Sequence, residues 1–379
     1  MPGRDTAAQV TPRHRAFESD LRLAHGKLDA LIIFAPLNEI LRRRALRPKR
    51  PEQQCEQSYN QCRAEHGGEA FLRNCDNYRP DNLLCGVSSP YHSALPLGQL
   101  FCFGLGYSGA RLALALRALD WQVAGTSRDD AALHELKIHG IAGQQLEHAE
   151  IPPGTRHILS TIPPGTAGDP VLLAGADKIT AAKELTWLGY LSTTGVYGDR
   201  GGAWVTENDA PKPGNERSRH RLAAEQAWLD LWRTRGVPVH IFRLAGIYGP
   251  GRNALATVRA GTAKRIVKPG HLFSRIHVDD IVQVLLASMA APNPGAIYNV
   301  CDDEAAPPAD VVSHACELLS VTPPPAQDYD ANNMSAMARS FWAENRRVRN
   351  DRIKNELGID LRYPDYRSGL KALLADEVK

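Results

Sequence analysis

The chain has no hydrophobic run approaching the ~20 residues that a membrane-spanning helix requires. Its best candidate, LDALIIFAPLNEIL, is interrupted by Asp29, Pro36 and Glu39. The basic cluster LRRRALRPKR follows that stretch, whereas a secretory leader carries its positive charge first. A cytoplasmic protein with no membrane partner is expected. Strong net charge is also missing, the formal value being +3 over 379 residues. Residues 1–96 hold 14 Lys/Arg against 11 Asp/Glu, which leaves 31 against 31 in the remainder. No field of one sign therefore argues for nucleic acid. Cysteine is scarce, with seven residues and no C-x-x-C pair. The four early ones, Cys55, Cys62, Cys75 and Cys85, match no common zinc spacing, so no metal is expected. Cys102, Cys301 and Cys316 lie in apolar settings and read as small core residues.

Organisation changes near residue 97. The stretch before it is charged, rich in Gln, Asn and Cys, and has one helical candidate at about 15–35. Residues 1–96 read as an N-terminal extension of the kind that stays disordered, or as sequence upstream of the natural start. From residue 97 onward, short apolar strands alternate with amphipathic helices. GQLFCFG precedes ARLALALRALD, and WQVAGTSR precedes AALHELKIHG. RHILSTIPP, TWLGYLSTTGVYG and VPVHIFRLAGIYGPG follow, then VQVLLASMAA and AIYNVCDDE. This alternation predicts an α/β fold, a Rossmann-type doubly wound parallel sheet with a smaller C-terminal substrate-binding region. The expected Rossmann core covers about 97–250 and 276–301, with substrate-binding parts at about 251–275 and 302–379.

GLGYSG places Gly104, Gly106 and Gly109 in a G-x-G-x-x-G pattern between the first strand and its helix. That context makes it a dinucleotide-binding signal rather than a chance run of glycines. Gly104 permits the tight turn, Gly106 lets the backbone approach a pyrophosphate, and Gly109 lets helix and strand pack closely. Leu105, Tyr107 and Ser108 complete the loop, and Thr161 at the end of RHILSTIPP joins the expected cofactor contacts. The second strand ends in Thr126, Ser127 and Arg128, with no acid in place to hold a ribose 2′-hydroxyl. Ser127 and Arg128 suit a 2′-phosphate, so NADP is the expected cofactor and NAD the alternative. The competing reading leaves Arg128 on the surface, with Asp129 or Asp130 capping the next helix.

Four further segments carry a resemblance. STTGVYGD, FRLAGIYGPGR, SRIHVDDI and YNVCDDE occur in the order found in the short-chain dehydrogenase/reductase superfamily, in its extended, NAD-dependent epimerase/dehydratase-like branch. LSTIPPGTAGDP and NELGIDLRYPDYRSGL are similar to the atypical YeeZ-like group within it. The resemblance covers most of residues 98–379. It implies that Thr193, with Ser192 and Thr194 beside it, supplies the catalytic hydroxyl. It also implies that the family's Tyr and Lys fall on Arg217 and Arg221, within GNERSRHRLAAEQAW. Arginine does not release a proton in a protein, so Tyr-type proton transfer is excluded there, while Arg221 retains a ribose contact.

One helical turn places His220 beside the lost Tyr position, and an imidazole suits proton transfer near neutrality. Arg217 as an electrophile and His220 as acid/base are therefore the two stand-ins. Arg217, Arg219 and Arg221 lie close enough to favour an anionic substrate or the cofactor phosphates. Alternatively, Glu216 and Glu225 pair with them on a solvated face. Leu222, Gln226, Leu229 and Trp232 mark the packed side of this helix, and Asp279 and Asp280 read as a helix N-cap pair. Tyr197 and Tyr248 read as packing or substrate-contact residues. The expected function is an NAD(P)H-dependent oxidoreductase acting on a small, anionic carbonyl or sugar-like substrate, as a homodimer. The alternatives are a sugar epimerase/dehydratase and a non-catalytic NADP(H) sensor.

Overall fold

The structure, a computed structural model, describes residues 95–377. The helix expected at about 15–35, the basic run and the four early cysteines lie outside the described residues. From the start of that range, strand and helix alternate. β1 (Gln99–Phe103) leads to α1 (Tyr107–Arg117), β2 (Gln122–Thr126) to α2 (Asp130–Ile138), and β3 (Ala142–Gln144) to β4 (His157–Ser160). α3 (Pro170–Ala181), β5 (Trp187–Thr193), β6 (Trp204–Val205), α4 (Glu216–Arg235) and β7 (Val239–Leu244) follow. The chain continues through β8 (Gly246–Tyr248), α5 (Ala254–Arg259), β9 (Arg265–Val267), β10 (Arg275–His277), α6 (Val278–Ala290) and β11 (Ile297–Val300). It ends with α7 (Pro308–Leu318), β12 (Ala326–Asp328), α8 (Ala336–Trp342), β13 (Arg347–Val348), α9 (Asp351–Leu357) and α10 (Tyr366–Glu377).

Seven strands form one parallel sheet in the order β11-β7-β5-β4-β1-β2-β3. Strands buried on both faces need continuous apolar sequence, and β1 shows how the two faces are filled. Leu100 and Cys102 join a cluster with Leu112 and Leu116 of α1, while Phe101 and Phe103 join a second with Ile179 and Trp228. The chain runs outward from β1 to β3 and then returns to β4 on the other side of β1. Ligands of such sheets bind beyond the strand C-termini at this reversal. A third, smaller cluster around Tyr248, Val311, Tyr366 and Leu370 sits in the C-terminal region. There Gly369 is required, because a Cβ on it would lie 2.1 Å from the Tyr248 hydroxyl.

Local signals fix the helix ends. Asp129 accepts the Ala131 and Ala132 amides to cap α2, and Asp169 accepts those of Val171 and Leu172 to cap α3. Pro170 follows at a position where its missing N–H costs nothing. Asn215 caps α4, and Gly236 ends it at a φ of 72°. Two expectations are corrected. The packed side of α4 carries Ser218, Ala224, Glu225, Trp228 and Leu229, whereas Gln226 is exposed and Leu222 and Trp232 are half-buried. The helix is rotated because Glu225 and the Trp228 indole both have polar partners in the core, Arg243 and Asp169. Asp279 and Asp280 do not cap α6, whose N-cap is the His277 ring. Asp279 instead pairs with Arg111 of α1 at 2.6 Å, and Asp280 accepts the backbone amides of Arg362 and Tyr363. Cys102, Cys301 and Cys316 are buried free thiols.

Candidate functional site

The glycine loop is held from both sides. The Gly104 amide donates to the Thr126 hydroxyl at 3.1 Å, and the Thr161 hydroxyl donates to the Gly104 carbonyl at 2.6 Å. Gly104 turns at a φ of 95°, a conformation that side chains resist. A Cβ on Gly109 would come within 2.4 Å of the Gly104 carbonyl oxygen, so the helix approaches the strand as closely as a glycine allows. A Cβ on Gly106 would meet nothing within 4 Å. Gly106 is also the N-cap of α1 and supplies no side-chain acceptor to its first amides. An uncapped helix start facing open space presents amides and partial positive charge to an anion.

Across the reversal, β5 ends at Thr193. Its hydroxyl oxygen accepts the Gly195 amide at 3.1 Å, which leaves the hydroxyl hydrogen available for donation. Ser192 points the other way and donates to the Glu225 carboxylate at 2.5 Å. Glu225 and Arg243 form a buried ion pair at 2.8 Å. Burial alone works against the Arg243 charge, but the Glu225 hydrogen bonds and charge outweigh it and hold the guanidinium firmly protonated. Arg243 also donates to the Tyr197 hydroxyl at 2.9 Å, which in turn donates to Asn299. Tyr197 is thus a packing residue whose phenol burial pushes up, despite the nearby arginine. The expectation that Glu225 faces solvent and pairs with helix arginines is corrected by this network.

The first turns of α4 abut the end of β5. Arg221 donates to the Leu191 carbonyl at 2.8 Å and to the Tyr190 hydroxyl at 3.1 Å. Arg217 lines the same space one turn earlier. His220 does not, and its ring lies 3.7 Å from Glu216. Arg219 is exposed. The space is a cavity of about 690 Å³ whose wall includes Gly106, Tyr107, Ser108, Thr161, Thr193, Arg217 and Arg221. Gly104, Leu105 and Gly109 do not line it, and neither do Ser127 and Arg128. Asp129 caps α2 and its amide donates to Ser127.

Four charged lining residues carried no assignment from the sequence. Arg252 and Arg275 fall inside the YGPGR and SRIHVDD segments, so their charge was visible there, but only the fold turns it inward. Glu344 and Arg346 come from the chain after α8 and carry no local signal. They pair with each other at 2.7 Å, and Glu344 also accepts from the Asn215 side chain. Tyr248 is a wall residue held against the His277 ring, and burial pushes its phenol far above the ordinary range. Among the described residues no group of three His, Cys, Asp or Glu is arranged to hold a metal, and no helix is long and apolar enough to cross a membrane.

Known proteins share this framework. The sequence model of the NAD dependent epimerase/dehydratase family matches residues 175–301. Protein YeeZ of Escherichia coli (strain K12) is 26% identical over 279 residues, covering 69% of this chain and 95% of YeeZ. A functionally unknown conserved protein from Silicibacter pomeroyi DSS is 50% identical in sequence. Its solved structure superposes with a TM-score of 0.70, covering 74% of this chain and 99% of its own. The dTDP-glucose 4,6-dehydratase DesIV from Streptomyces venezuelae, solved with NAD and TYD bound, has the same fold. It reaches a TM-score of 0.59 at 15% identity, over 74% of this chain and 97% of its own.

Proposed function

Because the chain belongs to the NAD-dependent epimerase/dehydratase family, in its YeeZ-like branch, we propose that it is an NAD(P)-dependent oxidoreductase acting on a small carbonyl or sugar-like substrate. One observation carries this reading: a single cavity joins the open start of α1 to the Thr193 hydroxyl and the two α4 arginines. The residues present fit a dinucleotide. Gly106 leaves room for a pyrophosphate against the α1 amides, and Arg221, at the position of the family's Lys and lining the cavity, would donate to a ribose hydroxyl. Bound there, the nicotinamide supplies hydride transfer. Thr193 donates a hydrogen bond to the substrate oxygen on which negative charge develops, and the Arg217 guanidinium faces the same region. The proton that completes an alcohol comes from water at the cavity mouth, because Arg217 keeps its own.

For the cofactor, we read NADP as preferred over NAD, because β2 ends in Thr126 with no acid and Asp129 is committed to capping α2. Arg128 then meets the 2′-phosphate. A second reading, a cofactor-binding protein without turnover, is favoured by Arg217 standing where the family has its proton-transferring Tyr. Fluorescence titration with NADPH and NADH, followed by oxidation assays against a panel of carbonyl compounds, separates the two. Turnover that disappears in Thr193→Ala while NADPH affinity stays the same supports the enzyme. Tight binding with no turnover supports the second reading, and no binding of either cofactor sinks both.

A further inference from the structure

The cavity wall holds five arginines and one carboxylate, Glu344. Four of the five are engaged. Arg221 is bound to the Leu191 carbonyl and Tyr190, and Arg275 to the carbonyls of Phe273 and Ala306. Arg346 is paired with Glu344 and donates to the Gly198 carbonyl. Arg252 lies over the Tyr107 ring at 5.7 Å, which assigns it to the glycine-loop end. Arg217 has no hydrogen-bond or ion-pair partner among the described residues, and it lines the cavity.

Its height in the cavity follows from helix and strand geometry. The Arg221 guanidinium is bound level with Leu191. From Arg221 to Arg217 the helix rises about 6 Å, and from Leu191 to Thr193 the strand advances about 6.6 Å. Both steps run toward the open end of the sheet, since α4 begins where β5 ends. The packing of Ser218 against Gly195 fixes that alignment, a Cβ on Gly195 lying 3.0 Å from the Ser218 hydroxyl. The Arg217 backbone therefore stands level with Thr193, and both side chains line the cavity.

We propose that Arg217 holds a carboxylate attached next to the reacting carbon, so that the substrate is a small hydroxy or oxo acid. The proposal rests on the oxidoreductase reading, with Thr193 addressing the neighbouring oxygen. A guanidinium offers two parallel N–H donors that match a planar carboxylate and carries one charge to balance it. A phosphate dianion asks for further donors, and at this end of α4 the Asn215 side chain already takes the Ser218 amide. Glu344 does not compete, being neutralised by Arg346.

The test compares racemic lactate with its neutral isostere lactamide, and with methyl phosphate, by calorimetric titration of the full-length protein. Each is measured with and without saturating NADPH or NADH. Lactate is expected to bind at least tenfold more tightly than lactamide, the scale of a lost charge-assisted hydrogen bond. Arg217→Gln removes that preference while the thermal midpoint stays as in the parent. The proposal is overturned by equal affinities, by no lactate binding, by a preference that survives Arg217→Gln, or by methyl phosphate binding more tightly than lactate. Failure to bind NADPH or NADH refutes the oxidoreductase reading instead. The lactate–lactamide comparison on the cofactor-free protein still decides the carboxylate site.

Discussion

Replacing Glu225 with Ala removes one half of a charge pair that the fold has taken entirely out of water. Glu225 is fully buried and Arg243 is 2% exposed, so no solvent is available to take over the guanidinium. The variant deletes the 2.8, 3.1 and 3.3 Å contacts from Arg243, together with the acceptor of the Ser192 hydroxyl. Arg243 keeps only the neutral Tyr197 hydroxyl. Stranding one member of a buried pair costs about 3–5 kcal/mol. At roughly 2–4 °C per kcal/mol for a domain of this size, the thermal midpoint should fall by about 6–20 °C. Circular dichroism melts of Glu225→Ala, Arg243→Met and the combined Glu225→Leu/Arg243→Met variant measure it. The double variant should recover most of the loss, because an apolar pair of similar volume avoids the desolvation cost. A single-variant drop below 2 °C, or a double variant as damaged as the single, would refute the claim that pairing holds this layer together.

Gly109→Ala forces a Cβ to 2.4 Å from the Gly104 carbonyl oxygen and should cost about 1–3 kcal/mol and at least tenfold in NADPH affinity, read by melting and fluorescence. Gly175→Ala, in α3 with nothing within 4 Å of the added Cβ, should instead stabilise by about 0.5–1 kcal/mol and serves as the control. His157, wedged between Trp121 and Trp187, is depressed by burial to about 4. Its contribution is thus complete above the unfolded value near 6.5 and is lost as pH falls through 4. His157→Phe should flatten the pH dependence of stability in that window by about 1.4 kcal/mol per pH unit at most, measured by urea unfolding. Asp280 has the opposite sign. Burial raises it to about 7, so its contribution is present at low pH and is lost as pH rises through 7.

The parallel sheet was legible because both-face burial writes itself as unbroken apolar strands, and the glycine loop because its spacing falls between a strand and a helix. The orientation of α4 was not. Periodicity counts apolar residues, and the buried face of this helix is anchored by Glu225, whose partner Arg243 lies eighteen positions away on β7. Asp279 and Asp280 were misread for a related reason. Acids at a helix start suggest capping, yet these answer to Arg111 and to the Arg362 and Tyr363 amides, groups that only the tertiary fold brings near. The reading of His220 had spacing right and direction unknown. Residues 217 and 221 share a face with the cavity, while His220 is turned about 100° further round the helix, toward Glu216. Glu344 and Arg346 left no trace in the sequence, since a wall contributed by a distant loop carries no pattern at its own position.

The two threonine hydroxyls that clamp Gly104 bear on rates. They come from β2 and the end of β4, the two strands that flank β1, and are joined by the Leu105 amide bonded to the Thr126 carbonyl at 2.6 Å. The loop is therefore already in the shape that receives an anion, and little backbone entropy remains to be lost on docking. If the loop takes the phosphates of a dinucleotide, an arriving phosphate should meet a fixed cradle and associate without a slow ordering phase. Variants of Thr126 or Thr161 should reveal themselves first as a lag in capture, before any change in what is captured.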